Sequence, residues 1–221
     1  NIPNPDVRPE HGRNFFLSAE YYFPKGAGFF IVSGARRDQK DLIRSVFTEP
    51  APGELIIAGE DLGGYRVTTT DNVAKSHVSS VEFSYRQNLV FLPGFWRRIS
   101  IFGNYTHLRF DNYANFNRPS DFANAGLSFD HRGLSLRWNA LWRPEYGPAP
   151  GANGWNTMNP ERLMHDVQIG YRISSRVSLF VNGRNVFNQP YESLRGPFRS
   201  DIVSSHADNG AIWTVGLRGG F

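Results

Sequence analysis

Several ingredients of common protein classes are missing from this 221-residue sequence. It has no cysteine, which excludes disulfide bonds, thiolate metal sites and cysteine nucleophiles. No stretch approaches the ~18 consecutive apolar residues that predict a membrane-spanning helix. The 24 basic residues exceed the 20 acidic ones by only four and form no basic run, so we expect no nucleic-acid partner. The apolar content of 40% is too high for a disordered chain.

Motifs for cofactors and catalysis are missing as well. There is no His-Glu-x-x-His, P-loop or Gly-x-Gly-x-x-Gly segment, and the six histidines have no metal-ligand spacing. Ser100 and His107 cannot form a catalytic pair, because parity places them on opposite faces of one strand. We therefore expect no enzyme, no metal site and no cofactor. The sequence starts at Asn1 without a signal peptide, so we expect a removed leader or an excised part of a longer protein.

What the sequence has instead is strict alternation of apolar and polar residues, which predicts β-strands. Most of the alternating segments are long. Strands of soluble proteins average about 5–6 residues, whereas a tilted strand that spans a bilayer needs about 9–11. The nine predicted strands are Asn14–Phe23, Gly28–Arg36, His77–Val90, Arg97–Phe110, Asp121–His131, Leu134–Trp142, Met164–Arg172, Val177–Phe187 and Ala211–Phe221.

The connections between these strands alternate between short and long. The short turns are Pro24–Ala27, Phe91–Trp96, Arg132–Gly133 and Ser174–Ser175. The long polar loops are Arg37–Ser76, Asp111–Ser120, Arg143–Leu163 and Asn188–Gly210. Tight turns at one rim and long loops at the other are typical of outer-membrane barrels, whereas a β-sandwich has turn signals every ~8–12 residues without this segregation.

Nine charged residues take the polar register of the predicted strands. They are Glu20, Glu82, Arg86, Asp130, Arg137, Asp166, Arg172, Arg184 and Arg218. A lysine or arginine that faced lipid near the bilayer midplane would cost about 2–4 kcal/mol. We therefore predict that Leu136, Trp138, Val167, Ile169, Val215 and Leu217 face lipid, and that Arg137, Asp166, Arg172 and Arg218 face a lumen. A soluble sheet with one face on a core would segregate its charges in the same way, so the faces alone leave both interpretations open.

Aromatic residues at both ends of the strands favour the membrane barrel. Tyr21–Phe23 lies beside one short turn and Phe95 and Trp96 beside another, while Trp138 and Trp142 lie toward a long-loop end. Rings in these positions are typical of the aromatic girdles at the two membrane interfaces.

Three segments resemble TonB-dependent outer-membrane receptors. Asn4–Glu10, which reads NPDVRPE, resembles the Asn-Pro-x-Leu-x-Pro-Glu stretch before a barrel strand of that family, with Val7 in place of the usual leucine. Ser178–Tyr191 resembles the penultimate strand and the segment after it, and Thr214–Phe221 resembles the closing strand with its terminal aromatic residue. The resemblance covers the whole chain in layout and is weak in the long loops.

The resemblance implies an all-β fold, the C-terminal part of an antiparallel up-and-down transmembrane β-barrel of about 22 strands. About nine strands would lie in residues 1–221, with the plug domain and the N-terminal strands absent. It implies a bacterial outer-membrane location and a role in substrate binding and energy-coupled uptake of a siderophore, haem, cobalamin, carbohydrate or peptide. The implied partners are lipid, the remaining strands and plug, a TonB-type energy-transducing system and that ligand. Phe221 resembles the aromatic assembly signal of such barrels. A structural or adhesive barrel and a soluble β-sheet binding module stay open as alternatives.

Ligand contacts of such a receptor would fall to the long loops. The candidates are aromatic, polar or charged residues: Tyr146, Trp155, Asn156, Tyr191, Arg195, Arg199, Asp201 and His206. The alternative for each is packing between the loops or against the plug.

The two outermost predicted strands carry a further expectation. Both strands descend in the same direction because nine is odd, and each unpaired backbone group in lipid costs several kcal/mol. We therefore expect that Asn14–Phe23 and Ala211–Phe221 do not pair with each other and that both bind further strands of the same barrel.

Overall fold

The structure is a computed structural model, and it describes residues 4–110, 118–150, 156–196 and 202–220. The described residues form strands joined by turns, loops and two short 3₁₀ segments at Pro24–Gly26 and Trp96–Arg98. In chain order the strands are β1 His11–Phe23, β2 Gly28–Thr48, β3 Ile56–Ile57, β4 Glu60–Asp61, β5 Val67–Asn88, β6 Ile99–Phe110, β7 Asp121–His131, β8 Leu134–Arg143, β9 Tyr146–Pro150, β10 Asn156–Asn159, β11 Arg162–Arg172, β12 Val177–Arg184, β13 Tyr191–Gly196, β14 Ile202–Ala207 and β15 Ile212–Gly219.

All nine predicted strands are present, and together they form one sheet. Its order is β1-β2-β5-β6-β7-β8-β11-β12-β15. This is an up-and-down arrangement, because each strand of this sheet is the neighbour of the sheet strand that comes next along the chain. In the described part of the chain, β1 and β15 are the two edges of this sheet and are not paired with each other. The expectation of an open sheet is therefore confirmed, and the partners of its edges stay a prediction.

The strand registers confirm the predicted separation of the two faces. Leu136 lies opposite Phe129 on β7 and Ile169 on β11, and this row continues through Val181 to Val215. The next row of residues joins Ser128, Arg137, Gln168, Asn182 and Thr214. Because residues opposite each other in a sheet share a face, apolar and polar rows alternate between the two sides. We call these sides the apolar face and the polar face.

The turn between β7 and β8 shows why this register is well determined. His131 pairs with Leu134, which leaves the two-residue turn Arg132-Gly133, with φ values of 48° and 89°. Positive φ at both positions is the type I′ geometry, whose twist matches that of the flanking strands. A one-residue slip would move every side chain of β8 to the other face.

Two of the strands are much longer than predicted. β2 continues to Thr48 instead of ending at Arg36, and β5 begins at Val67 instead of His77. The predicted loop Arg37–Ser76 is therefore mostly strand, with a small β3–β4 hairpin within it. Polar residues occupy both faces of these extensions, so alternation, the signal on which the prediction relied, disappears there.

Contacts divide the chain into two compact units, one built mainly from Arg36–Val78 and the start of β1, the other from Phe16–Ala35, Ser79–Arg109 and the C-terminal half. In the first unit, Asn72 holds the NPDVRPE segment. Asn72 accepts a hydrogen bond from the Arg8 N–H at 2.7 Å and donates one to the Arg8 carbonyl at 2.9 Å. Glu10 accepts one from the Ile43 N–H at 2.8 Å. These bonds fix the chain just before it enters β1.

The second unit holds another sheet in addition to most of the nine strands. Its order is β14-β13-β10-β9, and it comes from the two segments predicted as the loops Arg143–Leu163 and Asn188–Gly210. Those predictions were wrong in part, because each segment folds into a hairpin. Short polar strands of four to six residues lack the length that makes alternation recognisable.

Candidate functional site

The two loop hairpins form one body. β10 pairs with β13 through Asn156 opposite Gly196, Thr157 opposite Arg195 and Met158 opposite Leu194. Met158 is buried and anchors this junction. Backbone ladder bonds between the hairpins place residues that are distant in sequence beside one another at the loop end of β8 and β11.

Two arginines lie at that end, directly opposite each other. Arg143 ends β8, Arg162 begins β11, and the register pairs them. Both belong to the polar face, because Arg143 is in phase with Arg137 and Arg162 is in phase with Asp166. Like charges directly opposite each other in a sheet are destabilising by roughly 0.2–1 kcal/mol. This pair is therefore a place where the local arrangement opposes stability.

Two tyrosine rings from the hairpins lie against these guanidinium groups. Arg143 is 4.8 Å from the centroid of Tyr146 and 5.9 Å from that of Tyr191. Arg162 is 5.3 Å from the centroid of Tyr191. Cation–π contacts at these distances contribute about 0.5–2 kcal/mol, depending on how much water is excluded. Arg143, Arg162, Tyr146 and Tyr191 form the Arg–Tyr cluster.

Close packing of the first hairpin brings Tyr146 to this position. Gly147 has φ of 115°, and a Cβ atom there would lie 2.6 Å from the Thr157 carbonyl oxygen. Only glycine therefore lets β9 approach β10 so closely. Tyr146 itself pairs with Asn159, which is buried.

The charges of the Arg–Tyr cluster are uncompensated in the described part of the chain. Arg143 and Arg162 make no ion pair there, and the Nη1 atom of Arg143 and the Nε atom of Arg162 are buried without a hydrogen-bond partner. Glu161 is near in sequence, but its Oε1 atom accepts a hydrogen bond from the Trp142 indole at 2.5 Å. A buried unsatisfied donor costs about 1–3 kcal/mol, so the cluster is suited to a ligand that brings acceptor oxygens.

The Tyr146 hydroxyl adds a neutral donor to the cluster. Burial raises the pKa of Tyr146, Arg143 opposes that rise, and Tyr191 reinforces it. A hydrogen bond with the Tyr191 side chain is part of that effect. At neutral pH the phenol is therefore protonated, and an anion in the cluster could accept its hydrogen bond in place of Tyr191.

The structure brings together two of the eight loop residues predicted as ligand contacts, Tyr146 and Tyr191. Arg195 is exposed on β13. His206 on β14 pairs with Glu192 through Nδ1 at 2.9 Å. The backbone of Asn156 belongs to β10. Trp155, Arg199, Asp201 and the predicted assembly signal Phe221 lie outside the described residues, so their roles stay predictions.

Sequence reasoning missed Arg143 and Arg162, the charged half of the cluster. Both fell at the ends of a predicted loop, just outside the strand boundaries. Extending the alternation by one residue beyond Trp142 places Arg143 in phase with Arg137, and extending it back from Met164 places Arg162 in phase with Asp166. The alternation that places both arginines on the polar face was therefore visible in the sequence. The cross-strand register that pairs them was not.

The described residues contain no group of three side chains that could hold a metal ion. Within the same ranges, no helix has the length and apolar character needed to cross a membrane.

Comparisons with known proteins agree with the observed fold. The family model for the TonB dependent receptor-like β-barrel matches residues 1–186, and no curated protein sequence matches the chain. A mutant of the ferric enterobactin receptor from Pseudomonas aeruginosa is similar over 96% of this chain, with a TM-score of 0.68 at 18% identity. The pyoverdine outer-membrane receptor of that organism, bound to pyoverdine, is similar over 97%, with a TM-score of 0.65 at 14% identity. The copper transporter OprC is similar over 98%, with a TM-score of 0.67 at 14% identity.

The chain spans about a third of each of these proteins: 31%, 30% and 32% of their lengths. At such low identity the structural likeness shows the fold alone. The family model, in contrast, matches well over half of the sequence. The chain therefore belongs to the TonB-dependent receptor-like β-barrel family.

Proposed function

We propose that this chain is the C-terminal part of the barrel wall of an outer-membrane transporter that binds an anionic ligand and takes it up with energy from a TonB-type system. The apolar face would contact lipid and the polar face would line the lumen. The plug and the remaining strands would come from the rest of the same barrel. Family membership supports the transport role, and the Arg–Tyr cluster supports the charge of the ligand.

The observation that carries the proposal is the cross-strand pair Arg143–Arg162 without a carboxylate partner in the described residues. Guanidinium groups bind carboxylates and other oxyanions through paired hydrogen bonds. The rings of Tyr146 and Tyr191 add flat apolar surface beside the charges. Ligands of this class include chelates whose oxygen atoms carry negative charge. Ferric enterobactin, ferric citrate and pyoverdine, named with structural neighbours of this chain, are suitable probes.

A binding experiment on the complete receptor tests the charge of the ligand. Ferric enterobactin, ferric citrate, ferric pyoverdine and, as a probe without net negative charge, cobalamin are titrated into purified receptor in detergent. We expect at least one chelate to bind, with affinity that falls as salt rises. Replacing Arg143 or Arg162 with glutamine should weaken that binding by about 10–150-fold, because a hydrogen bond to a charged group contributes about 1.5–3 kcal/mol.

Arg109→Gln is the matched control. Arg109 is exposed near the loop end of β6, in phase with Ile99 and therefore on the apolar face. Its loss should leave affinity unchanged. Binding of cobalamin alone, or equal affinity in all three variants, would contradict the assignment. Uptake of the bound chelate should also stop when the proton gradient is collapsed, and continued uptake would favour a barrel without energy coupling.

A further inference from the structure

A recess lies on the polar face at the other end of the same strands. It has a volume of about 490 Å³ and lies between β8, β11, β12 and β15, beside the tight turn at Ser174–Ser175. Small-molecule pockets typically have volumes of about 300–1,000 Å³, so the recess is large enough for a compact solute. We call it the arginine recess, after Arg137, Arg172, Arg176 and Arg218, which line it.

The charge of this recess has one sign. None of the described residues that line it is aspartate or glutamate, and none of its four arginines forms an ion pair with a described residue. An adjoining depression adds Arg98 and Arg132 and only one carboxylate, Asp130. Grouped positive charges repel one another at a cost to stability. The arrangement therefore calls for negative charge from outside the described residues.

Strand register explains why the arginines converge. Ser178 on β12 lies opposite Arg172 on β11 and opposite Arg218 on β15. The two arginines therefore flank the serine in one row across three strands. Two rows away, Arg137 lies opposite Gln168. Hydroxyl and amide groups thus alternate with the guanidinium groups, and all of them can donate hydrogen bonds to an oxyanion.

An aromatic ring gives the recess a flat floor. Phe180 lies opposite Gly216, and a Cβ atom on that glycine would be 2.5 Å from the ring. The absence of a side chain at Gly216 therefore lets the ring lie against the sheet. The Arg218 guanidinium is 6.0 Å from the ring centroid, at the limit of a cation–π contact. A planar oxyanion could rest on this floor within reach of Arg218.

We infer that the arginine recess is a second binding site, which receives a small solute bearing several carboxylate or other oxyanion groups. This inference rests on the proposed function in one respect: the solute belongs to the anionic class assigned to the Arg–Tyr cluster. Arg143 and Arg137 are six residues apart on β8, or roughly 20 Å at a rise of about 3.3 Å per residue. A solute that leaves the cluster would meet the recess near the tight-turn end, where it is released.

Crystals of the complete receptor soaked in tungstate test the site without reference to the natural ligand. Tungstate is an oxyanion whose tungsten atom is visible by anomalous scattering. We expect an anomalous peak among Arg137, Arg172 and Arg218, and its loss in the double variant Arg172→Gln/Arg218→Gln. The inference is overturned if no peak appears, if the peak persists in the double variant, or if carboxylates from the rest of the protein already fill the recess.

Transport measurements with the chelate that binds best separate this site from the Arg–Tyr cluster. Arg172→Gln/Arg218→Gln should leave the equilibrium affinity at the cell surface unchanged and lower the rate of energised uptake at least several-fold. Arg172→Lys/Arg218→Lys, which keeps the charge, should restore most of the rate. Unchanged uptake in the glutamine variant overturns the inference even if the Arg143 experiment succeeds. If the Arg143 experiment fails, the tungstate result still decides whether the recess binds oxyanions.

Discussion

Replacing Gly28, the first residue of β2, with alanine should destabilise the barrel more than the same change at Gly26 in the preceding turn. Gly28 has φ of 149°, a conformation that other residues rarely adopt. Next to it, the Ala27 carbonyl accepts a hydrogen bond from the Asn88 N–H at 2.6 Å, so the end of β5 lies very close. A Cβ atom on Gly28 would be 1.9 Å from the Arg86 carbonyl oxygen and 2.8 Å from the Cα atom of Gln87.

Gly26 supplies a matched control two residues away. It also has a positive φ, +68°, but a Cβ atom there would meet nothing within 4 Å. Gly26→Ala should therefore lower the free energy of unfolding only by the strain of an alanine in the left-handed conformation, about 1–2 kcal/mol. Gly28→Ala carries a backbone strain of about 1–3 kcal/mol and an overpacking cost of about 1–3 kcal/mol. Because its close neighbours are backbone atoms, they cannot move aside as a side chain could, and the total should reach about 2–6 kcal/mol.

The assay is refolding of the complete receptor at increasing urea concentration, scored by the gel mobility difference between folded and heat-denatured barrel. Gly28→Ala should shift the midpoint to lower urea by clearly more than Gly26→Ala does. The difference between the two variants reports mainly the contact with β5, together with the difference in backbone strain between the two positions. Equal shifts would refute the reasoning, because they would mean that β2 and β5 are not as close at this turn as the hydrogen bond from the Asn88 N–H to the Ala27 carbonyl requires.

The remaining predictions concern register, assembly and the open edge. Val215→Arg should lower the free energy of unfolding in lipid vesicles by about 2–4 kcal/mol, while Thr214→Arg, on the polar face, should lower it less; the reverse order would mean that the faces are inverted. Deleting Phe221 should reduce the amount of folded receptor in membranes and leave the ligand affinity of the folded fraction unchanged, as measured by gel shift and titration; a loss of affinity would argue against an assembly role. Amide hydrogens on both edges of Ile212–Gly219 should be protected from exchange in the complete receptor, since a further strand would bind the free edge; rapid exchange would contradict this.

Alternation predicted the nine-stranded sheet well, because the pattern has a physical cause. Residues such as Val215 and Arg218 are sorted by a large difference in solvation between the two faces, and that difference leaves a period of two in the sequence. Asp121–His131 was predicted at its observed bounds, and the other strands within a few residues at the turn ends. At tight turns a glycine in the sequence adds a second local signal. Arg132-Gly133 is an example, and both of its residues have a positive φ in the structure.

The loop sheet could not be predicted because its determinants are not local. β10 joins β13 through pairs such as Met158 and Leu194, which lie 36 positions apart in the sequence. Tyr146 and Tyr191 could be proposed as ligand contacts from their residue types alone. Their meeting around Arg143 and Arg162 depends on the register of four short strands, and no periodic pattern within any one strand records that register.

The Arg–Tyr cluster gives a physical reason to favour a transporter over a purely structural barrel. A barrel wall with no ligand gains nothing from two opposed arginines whose buried donors no described residue satisfies. A hydrophobic residue of similar volume in place of Arg143 would remove both the repulsion and the unsatisfied atom. Cation–π contact with Tyr146 offsets part of that cost but does not satisfy the donors. Local features that oppose stability persist where function requires them. An anion that accepts hydrogen bonds from Arg143, Arg162 and Tyr146 would turn each of these costs into a binding contribution, and the cluster lies at the loop end, where a ligand would first meet the lumen.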